Sequence, residues 1–193
     1  MMGGYQILND QVWQSGVYKI ESIRLEDAES IRQWRNEQIS ALRQSRELST
    51  DEQALYFSDY VIPELDSPSP SKILVRFTFK GSLIGYGGIV HIHWADRRGE
   101  VSFLLETKRA QELEIYTHEI KVFLGLISQM AFGHLGLHKL STESYNHRPF
   151  HVNAIEDFGF KREGVLRNHA NINGEWVDSI VASLLKEDFA DYS

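Results

Sequence analysis

The chain contains no cysteine. Disulfides, thiolate zinc sites and a cysteine nucleophile are therefore excluded. No apolar run approaches the roughly 20 residues that a membrane helix needs. Positive charge is in deficit, with 20 Lys and Arg against 27 Asp and Glu and a formal net charge of −7. That balance argues against a nucleic-acid partner, which selects a basic face. The N-terminus lacks a basic segment followed by an apolar core, so no secretory leader is expected and the cytoplasm is the expected compartment. Proline is scarce, and three of the four fall at Pro63, Pro68 and Pro70. Together with Ser67, Ser69 and Ser71 they interrupt regular structure there.

What remains is ordinary globular material, 193 residues with 42% hydrophobic and 24% charged side chains. That is one domain's worth of mixed core. Residues 1–16 read as an N-terminal arm or edge hairpin, and residues 17–193 as a single domain. Val17 to Arg24 is β-prone and supplies the first main strand. From Glu26 the apolar period becomes helical through Ala28, Ile31 and Trp34. A second helix follows Ser49, with Thr50 and Gln53 placed as a capping box. Ile73 to Phe79 alternates cleanly, and turns at Lys80-Gly81-Ser82 and Asp96–Gly99 connect it to strands at Leu83–Trp94 and Glu100–Leu105. A long amphipathic helix, Glu112 to His134, ends at Gly136. His138 to Tyr145 should then lie parallel to Glu100–Leu105 in a right-handed βαβ unit. A short helix opens at Pro149 and closes at Gly159. A hairpin across Asn173-Gly174 joins Phe160–Ala170 to Val177–Leu185. The expected class is α/β (α+β in stricter usage), a mixed sheet of six to seven strands with helices on both faces.

The tail carries a specific pattern. Gly159-Phe160-Lys161-Arg162-Glu163-Gly164-Val165-Leu166-Arg167, followed by Asn173-Gly174 and Asp178, resembles the GF-x-x-EG-x-L-R … NG-x-x-x-D ending of one branch of the GNAT acyltransferase superfamily. That branch contains ribosomal-protein-alanine and spermidine N-acetyltransferases. Ile23-Arg24-Leu25, Asp27 and Trp34-Arg35-Asn36 fit its start. The resemblance implies direct acetyl transfer from acetyl-CoA to a primary amine, with a polyamine, an amino sugar or a protein N-terminus as acceptor. It implies a site in the V between Glu100–Leu105 and His138–Tyr145, with Phe103, Leu104 and Leu105 against the pantetheine. Lys108, Arg109, Gln111 and Leu113 fall on the pyrophosphate loop, and Asn146 and Arg148 on the far wall. The segment from Leu48 to Ser71 should wall the acceptor side.

Two departures stand out. The family's loop is glycine-rich, yet no glycine occurs between Gly99 and Gly125 here, and Glu112 and Glu114 sit where a diphosphate would approach. Ile155 occupies the position of the family's tyrosine acid. Tyr145, His147 and His151 are the substitutes within reach by sequence, and Tyr145 is the one expected to serve. Glu100 matches the family's acidic strand-start residue and is the expected general base; its alternative is a strand-end carboxylate paired with Arg98 or Lys72. His91 and His93 share one face of the adjacent strand and could flank the acceptor. No metal site is expected, because no third ligand accompanies either histidine pair. Trp34, Trp94 and Trp176 read as core or groove-wall residues. Surplus apolar residues on the Phe160–Leu185 hairpin suggest a homodimer. The glycine-free loop also permits another reading, an inactive GNAT-shaped binding or regulatory protein.

Overall fold

The computed structural model describes residues 4–42 and 44–190. Its strands are β1 (Val12–Ser15), β2 (Tyr18–Ser22), β3 (Ile73–Phe79), β4 (Ser82–His93), β5 (Arg98–Leu105), β6 (Lys139–Tyr145), β7 (Lys161–Ile172) and β8 (Glu175–Leu185). They form one sheet in the order β1-β2-β3-β4-β5-β6-β8-β7. Every pairing is antiparallel except β5 with β6. The sheet has one strand more than the upper expectation, because residues 12–15 pair with β2 at the edge. A four-residue strand with only Trp13 buried gives little periodic signal.

The helices are α1 (Ala28–Glu37), α2 (Thr50–Tyr56), α3 (Thr107–Gln111), α4 (Leu113–Ser128), α5 (Pro149–Phe158) and α6 (Lys186–Ala190). A π-helical turn, Gln129–His134, extends α4, and Gly136 at φ 65° ends the run. The predicted long helix is thus α4 plus that turn. Helix α5 has Pro149 in its first turn and left-handed Gly159 at its end. The capping box of α2 is Ser49 with Glu52, one residue earlier than expected. Gln53 is instead buried, turned toward the sheet.

Residues 84–89 of β4 are buried consecutively, which requires cover on both faces. One face carries Phe77, Phe103 and Phe123, the last from α4, with Phe103 and Phe123 centroids 4.7 Å apart. Gly87 lies beneath this cluster, where a Cβ would stand 2.7 Å from the Phe123 ring and 2.1 Å from the Ser102 carbonyl oxygen. The opposite face carries α1 and α2 over Leu74 and Tyr86. Among the described residues no helix is long and apolar enough to cross a membrane.

Candidate active site

Strands β5 and β6 pair only at Arg98–Lys139, Gly99–Leu140 and Glu100–Ser141. Beyond Glu100 they part, while β5 stays zipped to β4 as far as Leu105 and β6 to β8 as far as Tyr145. The carbonyls of Ser102 and Leu104 face β4, against Gly87 and Gly85. Alternation along the strand then turns the backbone groups of Val101, Phe103 and Leu105 toward the gap. A cavity of about 220 Å³ fills this gap, lined among others by Glu100, Phe103, Ser144, Tyr145, Arg148 and His151.

Glu100 stands at the apex, the last residue paired with β6, and faces Val90 of β4. The register between β4 and β5 slips between Val90 and His93, and His91 within this bulge has φ 51°. A non-glycine residue held there stores on the order of 1–3 kcal/mol of strain, a feature concentrated at functional sites. The bulge also separates the two histidines. His91 lines the cavity, whereas His93 turns outward to Asp96 at 3.0 Å.

On the far wall, Ser144 is 7% exposed and its Oγ has no partner among the described residues. Such a hydroxyl costs about 1–3 kcal/mol unless a ligand or water completes it. Tyr145 ends β6 with its ring laid on His147, centroids 5.8 Å apart. Asn146 is exposed, its N–H donated to the Asp178 carbonyl at 3.0 Å. Ile155 lines the cavity, and one helical turn earlier His151 does too.

His151 belongs to a buried cluster that no local motif announces. Its Nδ1 lies 2.6 Å from the Tyr116 hydroxyl, and Arg148 Nη2 donates to that same oxygen at 3.2 Å. Arg148 can only donate, and the hydroxyl keeps both a proton and a second lone pair for His151: it donates to Nδ1 in the Nε2–H tautomer and accepts from Nδ1 in the other. In the Nε2–H tautomer the ring's own proton is held on the nitrogen away from Tyr116. Burial and the adjacent Arg148 lower the His151 pKa to about 3, holding the ring neutral. Burial raises the Tyr116 hydroxyl above its usual range, with Arg148 pulling the other way. Tyr116 reads in sequence as one more apolar position of the α4 stripe, which hides it.

The loop on which the resemblance places the pyrophosphate is built from α3 and the start of α4. Glu112 and Glu114 are exposed, as are Lys108, Gln111 and Leu113. Arg109 turns inward instead, its Nε 2.9 Å from Oε2 of buried Glu119, with Nη2 on the other oxygen. Tyr18 donates to the same carboxylate at 3.2 Å. Of the two cations on this loop, Arg109 is thus committed to Glu119 and Lys108 faces solvent. Past the end of α1, Gln38 donates to the Leu105 carbonyl at 2.9 Å and to Thr107 Oγ1 at 3.1 Å. His147 hydrogen-bonds the Ser40 backbone. The segment 38–42 therefore spans the mouth of the gap. Among the described residues no group of three His, Asp or Glu side chains is placed to hold a metal ion.

A second cavity, of about 390 Å³, lies on the α1–α2 face and shares Arg35, Val90 and Ser102 with the first. Leu48 and α2 wall it.

A family model described as an acetyltransferase (GNAT) domain matches residues 20–181. No curated protein matches the chain by sequence. Among solved structures, the spermidine N-acetyltransferase from Vibrio cholerae in complex with CoA and spermine superposes with a TM-score of 0.80 at 17% identity. It covers 91% of this chain and 99% of that one. The dodecameric structure of spermidine N-acetyltransferase from Vibrio cholerae in an intermediate state gives 0.78 at 18% identity, over 93% and 99%. At these identities the likeness establishes a common fold.

Proposed function

The chain belongs to the GNAT acetyltransferase family, and on that premise we propose that it moves an acetyl group from acetyl-CoA to a primary amine. The amine would be held on the α1–α2 face of the sheet. The observation carrying this reading is the parted β5–β6 pair, which leaves backbone N–H and C=O groups of Val101 and Phe103 facing a cavity. Unmatched backbone groups in such a place are satisfied by a ligand's amides. Phe103, Leu104 and Leu105 would flank the pantetheine, and the Ser144 hydroxyl would complete its bonding there. Lys108, Gln111 and the first N–H groups of α4 at Leu113 would hold the diphosphate, with Asn146 and Arg148 on the far side. The exposed placement of Glu112 and Glu114 keeps this seat unplugged and weighs against an inactive binding protein.

In the transfer the amine nitrogen attacks the thioester carbonyl, the C–S bond breaks, and the sulfur leaves as a thiolate that needs a proton. Glu100, at the apex and on the face shared with Ser102, takes the proton released by the ammonium, directly or through water. For the thiolate, Tyr145 lies on the same wall, but the hydrogen bonding supports His151 more strongly. His151 Nε2–H gives its proton to sulfur while Nδ1 receives the proton of Tyr116. Arg148 stabilises the tyrosinate left behind, which takes its proton back from Nδ1 as Nε2 regains one from solvent through the cavity. Ile155 in the family's acid position is thereby accounted for, since the acid acts from one turn away.

Acetyl-CoA at 100 times its dissociation constant should stabilise the fold by about 2.7 kcal/mol, raising the melting temperature by several degrees. An amine panel with thiol-release detection should show turnover. No thermal shift at millimolar acetyl-CoA would reject the enzyme and favour the binding protein. The acceptor is a polyamine, an amino sugar or a protein N-terminus by family, and a dimer through the β7–β8 hairpin is the proposed assembly.

A further inference from the structure

The second cavity has a charge pattern that speaks to its ligand. Three charged side chains line it, namely Arg35, Lys72 and Glu52. Glu52 is already neutralised, accepting from Arg46 Nη1 at 3.0 Å and from the Ser49 backbone N–H at 2.9 Å. Among the described residues the partners of Arg35 are neutral, the Gln44 side-chain oxygen at 3.0 Å and the Tyr86 hydroxyl at 2.8 Å. Lys72 lies over the Tyr56 ring, 5.3 Å from its centroid, and no carboxylate pairs with it among the described residues. Two cations with no counter-charge among the described residues thus share a half-enclosed space with the aromatic walls of Tyr56, Phe57 and Tyr86.

Holding like charges together away from bulk water is unfavourable unless an anion arrives. A guanidinium with an uncommitted edge is suited to a carboxylate or phosphate. The cavity adjoins the β5–β6 gap, with Arg35, Val90 and Ser102 lining both, and Val90 sits opposite Glu100. We infer that the acceptor is an amine bearing an anionic group, a carboxylate or a phosphate, which docks between Arg35 and Lys72 while its amine reaches the Glu100 apex. An aliphatic polycation is disfavoured in this cavity. The inference rests on the acetyltransferase reading and narrows it.

The test uses the full chain saturated with acetyl-CoA and matched acceptors: glucosamine with its 1-phosphate, phenylalaninamide with phenylalanine, and spermidine. The expected result is at least a tenfold higher kcat/KM for the anionic member of one pair, over both its neutral partner and spermidine. The phosphate and carboxylate arms tell which anion is meant. Lys72→Ala should erase that preference and Lys72→Glu should invert it, both with the KM for acetyl-CoA unchanged. Titration calorimetry of the same compounds with the CoA-bound protein reads the preference even where turnover is slow. Turnover that favours spermidine or ignores the anion overturns this inference and leaves the acetyltransferase standing. Binding of no panel member overturns it equally. Absence of both a thermal shift with acetyl-CoA and any turnover removes the parent reading instead.

Discussion

The Tyr116 proton has one acceptor among the described residues, His151 Nδ1, and this dictates what substitution there should do. Tyr116→Phe removes the proton supply, while His151→Asn keeps an acceptor for the tyrosine but loses the Nε2–H. Each should lower kcat by about 10²–10⁴, the usual contribution of a general acid. The acetyl selenoester of the selenium analogue of CoA should restore both variants, because a selenolate departs without a proton. A merely structural defect would slow both donors alike. The same histidine should leave a mark on stability. Its folded pKa, about 3, lies below the unfolded value of about 6.5. Stability is therefore fully present above pH 6.5 and lost as the pH falls toward 3, by on the order of 1–2 kcal/mol at pH 5. Glu29 and Glu52, lowered to about 2 by Arg32 and Arg46 respectively, act in the same sense only below their ordinary range near 4.5. His147, lowered by burial, shares the window, so His151→Asn should flatten the pH dependence of Tm between 6.5 and 4.5 without abolishing it. The place of Glu100 near the start of the central strand was legible in the sequence. Tyr116 was not, because its role depends on a partner 35 residues away.

Among the elements, the wedge was foreseeable and the bulge was not. A strand, a helix and a second strand dictate a parallel pair, but alternation along β4 placed His91 and His93 on one face until the bulge turned them apart. Bulges depend on the partner strand's register and leave no trace in a single strand's pattern. The loop between β5 and α4 gave an equally partial signal. Its charges are plain in sequence, but the turn of α3 that swings Arg109 onto Glu119 is set by tertiary packing. Breaking that pair should leave a buried carboxylate, less than 2% exposed, without its cation. Arg109→Met should thus destabilise the fold by about 3 kcal/mol, seen as a fall in the urea midpoint, with little change in the KM for acetyl-CoA. Lys108→Ala should do the reverse. A raised KM for Arg109→Met at unchanged stability would return Arg109 to the phosphate site.

For the whole molecule, the order of strands and the two covered faces follow from hydrophobic periodicity and short turns, and Asn173-Gly174 forms the expected hairpin turn with both residues at positive φ. The hairpin it closes departs from expectation at Trp176, which is 65% exposed and not a core or groove residue. It pairs opposite Asn171 beyond the reach of the core. Val165 and Leu166 on β7 are exposed as well. Light scattering should accordingly give a particle above 22.2 kDa at micromolar concentration, and Trp176→Lys with Leu166→Lys should return it to the monomer. A monomer before substitution would refute the assembly. The bond from Gln38 to the Leu105 carbonyl reaches further still. Asn36 grips the Leu48 backbone through both its N–H and its C=O, each at 2.9 Å, so one stretch of chain is moored beside the β5–β6 gap and beside the second cavity. The Leu105 oxygen has a second lone pair beside the Gln38 bond, so a pantetheine amide seated there as proposed would share that oxygen with the tether rather than compete for it. Three residues of backbone thus brace the rims of both chambers at once, and a loosening of one anchor would be felt at the other.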